Sequence, residues 1–135
     1  MSLTETKALN KVSSLKLNQV FTMKTLATEI HGHRATMIFV DGYIRYSDLE
    51  SIENELDTSL IEEFVIVSGK MPSWYSLAIV ALLTRKYNVK AIGIFRPPAN
   101  KILIVYSEFS DVGVNEWIEP TKRQLEFLRS GEIYA

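Results

Sequence analysis

Ser68-Gly69-Lys70-Met71-Pro72-Ser73-Trp74 is the stretch of this chain whose residue types and spacing suit chemistry. An apolar run, Phe64-Val65-Ile66-Val67, leads into it and a long apolar segment leads out, the pattern of a buried strand turning through glycine into a helix. A junction of that kind gathers unpaired backbone N–H groups at one spot. The positive end of the helix dipole lies there too, and Lys70 adds a full charge. The chemistry implied is the holding of an anion such as a phosphate, a nucleotide or an oligonucleotide. Glycine and lysine in such a loop also serve turning and solubility alone, and this plainer reading stands beside the first.

The elements around the junction decide what else meets it. Strand Phe64–Val67, a helix begun by Pro72 and running to about Tyr87, and strand Ala91–Phe95 make a βαβ unit. Its crossover is expected to be right-handed, so the two strands are parallel. Ser68, Gly69 and Lys70 then emerge at the same sheet edge as Arg96, where open α/β sheets take their ligands. Ser68, Gly69, Lys70 and Ser73 are the candidate phosphate-binding residues, with Arg96 as a second cation. Trp74, Tyr75 and Tyr106 are of a type that stacks on bases, although each is as readily a core or interface aromatic. The helix is apolar nearly all round (Trp74, Leu77, Ala78, Ile79, Val80, Ala81, Leu82, Leu83), which predicts a deeply buried helix or one shared with a second subunit.

Elsewhere the chain reads as supporting structure. Val20–Met23 and Leu26–Ile30 suggest a pair of short strands. Ala35–Val40 is a strand ended by the turn dipeptide Asp41-Gly42. Ser47-Asp48-Leu49-Glu50 has capping-box spacing, predicting a helix from Asp48 with Leu49, Ile52 and Leu56 on its buried face and Glu50, Glu53 and Glu55 in water. Lys101–Tyr106 forms a hairpin with Ala91–Phe95. Pro120 opens a last helix carrying Leu125 and Leu128, stopped at Gly131. Residues 1–18 read as an arm or a short early element, and residues 19–135 as a single α/β domain.

Composition narrows the functions. The 135 residues are 47% apolar and 23% charged, ordinary for one folded domain. Fifteen basic against sixteen acidic residues leave a formal charge of -1, which excludes a uniformly basic coat for duplex DNA but not a local basic pocket. With no cysteine there is no disulfide, thiolate metal site or thiol nucleophile, in keeping with a reducing cytoplasm. The amino-terminal residues lack a signal peptide's apolar core, and Leu77–Leu83 is too short to cross a bilayer. A cytoplasmic, soluble protein is expected. His31-Gly32-His33 would set two imidazoles on one strand face at metal-chelating spacing, yet no third ligand is identifiable and the glycine suggests a turn. The acidic cluster of Glu50, Glu53, Glu55, Glu62 and Glu63 is read as a solvated face.

Ser-Gly-Lys-x-Pro-x-Trp at Ser68–Trp74, with Arg96-Pro97 after the next strand and Ser107-Glu108 after the following one, resembles the Csx-three family of CRISPR-associated type III ring nucleases. The resemblance spans roughly Met37 to Ile118 in element order. It implies a compact CRISPR-associated Rossmann-like fold, with a βαβ core and a mixed sheet. It also implies a homodimer or homotetramer that binds cyclic tetra-adenylate or short RNA, and manganese-dependent cleavage supported by histidine and aspartate. This chain departs from that pattern where the catalysis lies. Ser76 stands where a histidine is expected, Arg96 replaces the aspartate before Pro97, and Glu108 replaces the late histidine. A guanidinium repels a divalent cation and attracts phosphate, so Arg96 disfavours manganese and moves the expectation from cleavage towards binding. The expected role is therefore to sequester, sense or slowly degrade the messenger in antiviral defence. The alternatives are a metal-dependent ring nuclease or exoribonuclease with relocated ligands, and a non-catalytic homo-oligomeric interaction protein.

Overall fold

A computed structural model of the chain describes residues 12–17, 21–56 and 61–133. Seven strands form one sheet in strictly sequential order: β1 Val12–Leu17, β2 Phe21–Ile30, β3 His33–Gly42, β4 Phe64–Gly69, β5 Ala91–Arg96, β6 Lys101–Ser107 and β7 Trp117–Ile118. The helices are a short α1, Ile52–Glu55, preceded by a 3-10 turn over Tyr46–Ser51, then α2, Ser73–Lys86, and α3, Lys122–Ser130. β3, β4 and β5 are parallel, and every other neighbouring pair is antiparallel. The expected βαβ core and mixed sheet are therefore present in one α/β domain. Of the predicted arm, Val12–Leu17 is the edge strand paired with β2, and the remaining residues lie outside those described.

Two layers of side chains alternate through the parallel strands. Ile38 and Val40 of β3, Val65 and Val67 of β4, and Ile92 of β5 pack against Tyr75, Ile79, Leu82 and Leu83 of α2. Met37, Phe39, Phe64, Ile66 and Phe95 face the other way, against Phe127 and Leu128 of α3. Because β3, β4 and β5 advance in one direction, right-handed crossovers put both connections on one face. The opposite face would lie bare without α3, which returns to it after the antiparallel strands. The continuous apolar runs in these strands have this cause: both faces are covered.

Some local expectations are revised. The two short strands foreseen before residue 30 are one ten-residue strand, and His31-Gly32 is the tight turn into β3. β3 runs through Asp41-Gly42 rather than stopping there. No α-helix starts at Asp48. The chain turns earlier, because the buried Asp48 carboxylate accepts the Arg45 backbone N–H at 2.7 Å and the Arg45 guanidinium at 3.2 Å. Burial pushes this carboxyl up, but the two Arg45 hydrogen bonds and the Arg45 charge outweigh it and hold Asp48 below its ordinary value. Leu49, placed on the buried face from its spacing, is exposed. Pro72 is the residue before α2 rather than its first, and α2 is not sealed all round, since Leu77 is 69% exposed.

α3 begins at Lys122, two residues after the predicted start at Pro120, with Thr121 as its cap. Thr121 Oγ1 accepts the Gln124 N–H and Gln124 Oε1 accepts the Thr121 N–H. The amide of Gln124 also donates to the Glu29 carbonyl, tying α3 to β2. Gly131 ends α3 in a left-handed conformation, as its position predicted.

Candidate functional site

The carboxyl ends of β3, β4 and β5 and the last turn of α3 enclose a cavity of about 370 Å³, lined by Phe39, Asp41, Ser68, Gly69, Lys70, Phe95, Pro97, Leu128, Arg129 and Ser130. Alternation along the strands explains the lining. Asp41 follows Met37 and Phe39, and Ser68 follows Phe64 and Ile66, on the face that α3 covers. Two cations, Lys70 and Arg129, meet one carboxylate, Asp41, in the wall. Arg129 donates to Asn100 Oδ1 at 2.9 Å, which fixes its guanidinium beside the β5–β6 turn. Nearby, Lys24 and Glu132 pair with each other, so their charges cancel locally.

Gly69 makes the junction possible. Its φ is +108°, and a Cβ there would lie 1.9 Å from the Val40 carbonyl oxygen of the neighbouring strand. No side chain fits, so the chain leaves β4 in contact with β3 and hands Lys70 to the edge.

Ser68 has a role that its position in the motif does not suggest. It is buried, and its hydroxyl donates to the Leu128 carbonyl in the last turn of α3. Two more carbonyls near the helix end are bonded as well: Gly131 N–H donates to Phe127 and Ser130 Oγ to Glu126. Ser68 is therefore the clamp between β4 and α3, with its donor committed to the helix. Ser68→Ala is expected to cost about 1–2 kcal/mol by leaving that buried carbonyl unpaired, measured as a lower denaturant midpoint at unchanged slope.

On the other side of the Lys70–Pro72 segment, α2 starts with no side-chain cap and no acidic residue in its first turn. Tyr75 and Ser76 N–H groups reach back to the Pro72 carbonyl, while Ser73 and Trp74 hold the first, unmatched N–H positions of the helix. Ser73 is exposed, and its carbonyl accepts the Ser76 hydroxyl at 2.9 Å. Trp74 is half-buried on the α2 core cluster, with Tyr46 against it at a ring separation of 4.8 Å.

The remaining candidates are spread more widely. Arg96 ends β5 at the same edge as Lys70, exposed and opposite Lys101, while its neighbours Phe95 and Pro97 line the cavity. Tyr106 lies at the other end of the sheet, because β6 runs antiparallel to β5. There its hydroxyl bonds Glu108, which raises the phenol above its ordinary value. His31 and His33 are also at that opposite edge. His31 adopts a φ of 50° in the turn, which breaks the alternation that would have set both imidazoles on one strand face. His33 instead stacks on Phe109 at 3.9 Å and bonds both oxygens of Asp111, at 3.0 and 2.9 Å. That hydrogen bond holds the Asp111 carboxyl below its ordinary value. Among the described residues no group of three His, Asp or Glu side chains is arranged to hold a metal ion.

Asp41 and Arg129 escaped sequence reasoning. Asp41 looked like a turn residue, and its place beside Lys70 follows only from the Val40–Gly69 pairing. Arg129 was legible as the end of a helix, but no local signal says where that helix packs.

The fold and the crevice define a single α/β domain with a parallel three-strand core and, at the carboxyl ends of those strands, a cavity that sets Lys70, Arg129 and Asp41 among apolar side chains. Residues 37–119, from β3 through β7, match the family described as CRISPR-associated protein (Cas_csx3), and the chain belongs to that family. None of the curated proteins compared with the chain is a match. No helix among the described residues is long and apolar enough to cross a membrane.

Proposed function

We propose that this CRISPR-associated protein binds cyclic oligoadenylate, cyclic tetra-adenylate above all, or short RNA in type III antiviral defence, and acts by sequestering the messenger. One observation carries the reading. Lys70, Arg129 and the glycine turn at Gly69 meet around one strand-edge crevice, and the uncapped start of α2 lies across the Lys70–Pro72 segment from it. Lys70 and Arg129 supply charge to phosphates, the Ser73 N–H and hydroxyl offer donors on the α2 side, and Arg96 extends the positive edge. Ser68 holds α3 against β4 and so sets the spacing between the two cations.

The donors at this crevice do not fit the manganese that the family resemblance implies. A divalent cation needs several carboxylate or imidazole ligands, whereas among the described residues Asp41 is the only carboxylate in the wall, beside two cations. Cleavage, where it occurs, would rest on orienting a ribose hydroxyl in line and on the cations stabilising charge.

Titration of fluorescent cyclic tetra-adenylate and linear tetra-adenylate, with product analysis in manganese and in chelator, tests the reading. Saturable binding with little turnover is expected. Rapid cleavage abolished by chelator would replace it with a metal-dependent ring nuclease. The same titration followed by thermal unfolding should raise the midpoint, because a ligand of the folded state stabilises it by mass action. No binding and no shift would leave an interaction protein that uses the exposed side of α2.

A further inference from the structure

A second concavity of about 440 Å³ opens on the α2 side of the same edge, lined by Gly42, Tyr43, Ile44, Arg45, Tyr46, Pro72 and Trp74. Tyr43 and Tyr46 are 71% and 75% exposed, an unusual degree for two tyrosines three residues apart. Tyr46 nevertheless lies 4.8 Å from Trp74, the planes inclined at 37°. Trp74 is fixed from behind by Tyr75, whose ring meets it edge-on at 6.0 Å, and Tyr75 is fully buried. The Arg45 guanidinium is anchored to the buried Asp48 carboxylate and so cannot fold over the rings. The result is an exposed aromatic floor, packed on the core through Trp74 and bordered by an ion pair.

We propose that this floor is a stacking shelf for unpaired nucleobases, which would make the ligand of the neighbouring crevice a single-stranded phosphodiester chain held by its bases as well as its phosphates. The proposal rests on the phosphate-binding reading above and adds a second, separate contact. Charge complementarity selects the occupant. Pro72 and Trp74 line the shelf at the uncapped amino end of α2, which sets the positive end of the helix dipole at the shelf's rim, while Lys70 lines the neighbouring crevice. A base brings a phosphate to that rim, whereas a proline-rich peptide, the other ligand suited to Tyr and Trp faces, brings no negative charge there. Stacking tolerates any base because each presents a flat π-face, and it should favour purines for their larger overlap.

The test uses the intact protein, with Tyr46→Ala, Tyr46→Phe and the double variant Tyr43→Ala/Tyr46→Ala, each checked for an unchanged thermal midpoint because both side chains are largely in solvent. The probes are single-stranded hexa-adenylate and an abasic ribose-phosphate hexamer of equal charge. Hexa-adenylate should bind about tenfold more weakly to Tyr46→Ala and weaker still to the double variant, and Tyr46→Phe should retain wild-type affinity. The abasic chain should bind all four proteins alike. If Lys70→Glu weakens both probes while the tyrosine variants bind hexa-adenylate as wild type does, the shelf is wrong and the phosphate site stands. Equal affinity of wild type for the two probes overturns the shelf as well. If wild type binds neither probe, both readings fall, and saturable binding of a polyproline peptide lost in Tyr46→Ala would make the shelf a peptide groove.

Discussion

Gly69→Ala is expected to lower the unfolding free energy by about 4 kcal/mol, the sum of a side chain forced into a positive φ and of overpacking against backbone. The methyl group would be built 1.9 Å from the Val40 carbonyl oxygen, 2.6 Å from its nitrogen and 2.8 Å from its carbonyl carbon. These are backbone atoms of a central parallel strand, so no rotamer change relieves the contact. The two strands must separate, or β4 must end early, and either response breaks the Val40–Gly69 pairing. For a domain of this size the loss corresponds to a fall of roughly 15 °C in the thermal midpoint. Chemical and thermal denaturation should agree on it. A midpoint within a few degrees of wild type would show that β3 and β4 yield at this edge far more easily than their packing implies. Because Gly69 also aims Lys70, the variant should bind nucleotide poorly even where it remains folded.

Lys70→Glu separates charge from fold. Lys70 is exposed, so its stability should stay within about 0.5 kcal/mol of wild type. Binding should not. Reversing the charge removes one cation and sets a second carboxylate beside Asp41 in a wall where, among the described residues, only Arg129 then opposes them. Affinity for linear tetra-adenylate should fall on the order of tenfold to a hundredfold at low salt, as expected for a lost charge-assisted contact with added repulsion. The salt dependence is the sharper readout. Each phosphate neutralised on a single strand contributes about 0.7 to the slope of log affinity against log salt, so the variant's slope should be shallower by about that amount. Fluorescence anisotropy across a salt series gives both quantities at once. Affinity and slope equal to wild type would remove Lys70, and the crevice with it, from the proposed function.

The two substitutions probe adjacent residues through different physics. Gly69 acts through what it lacks, since only hydrogen fits beneath the Val40 carbonyl. Lys70 acts through a charge that the fold does not need. Ser68 completes the set, because its buried hydroxyl serves the helix that brings Arg129 to the crevice. Three consecutive residues of one motif thus carry a packing constraint, the charge proposed to hold a ligand, and a helix clamp.

What the sequence determined by itself was set by short-range rules. Continuous apolar runs at Phe64–Val67 and Ala91–Phe95 specify strands buried on both faces. The right-handedness of the crossover then places Lys70 and Arg96 on one edge. Gly131 specified the end of the last helix through a positive φ, and the Ser68–Trp74 motif carried the family. The capping box read at Ser47–Glu50 was misplaced, because the reciprocal pair that forms is Arg45 with Asp48, whose carboxylate accepts the Arg45 N–H and starts the turn earlier. Tertiary structure alone decided the rest. Antiparallel pairing of β6 sent Tyr106 to the far edge, and the β2–β3 turn and the loop after β6 brought His33 to Asp111. The docking of α3 chose Arg129 rather than Arg96 as the second cation in the cavity wall, and the path of the chain after β3 laid Tyr46 on Trp74. Those contacts join residues tens of positions apart, and no local propensity encodes them. They follow from which apolar face each element must bury, a choice made only when the whole sheet is assembled.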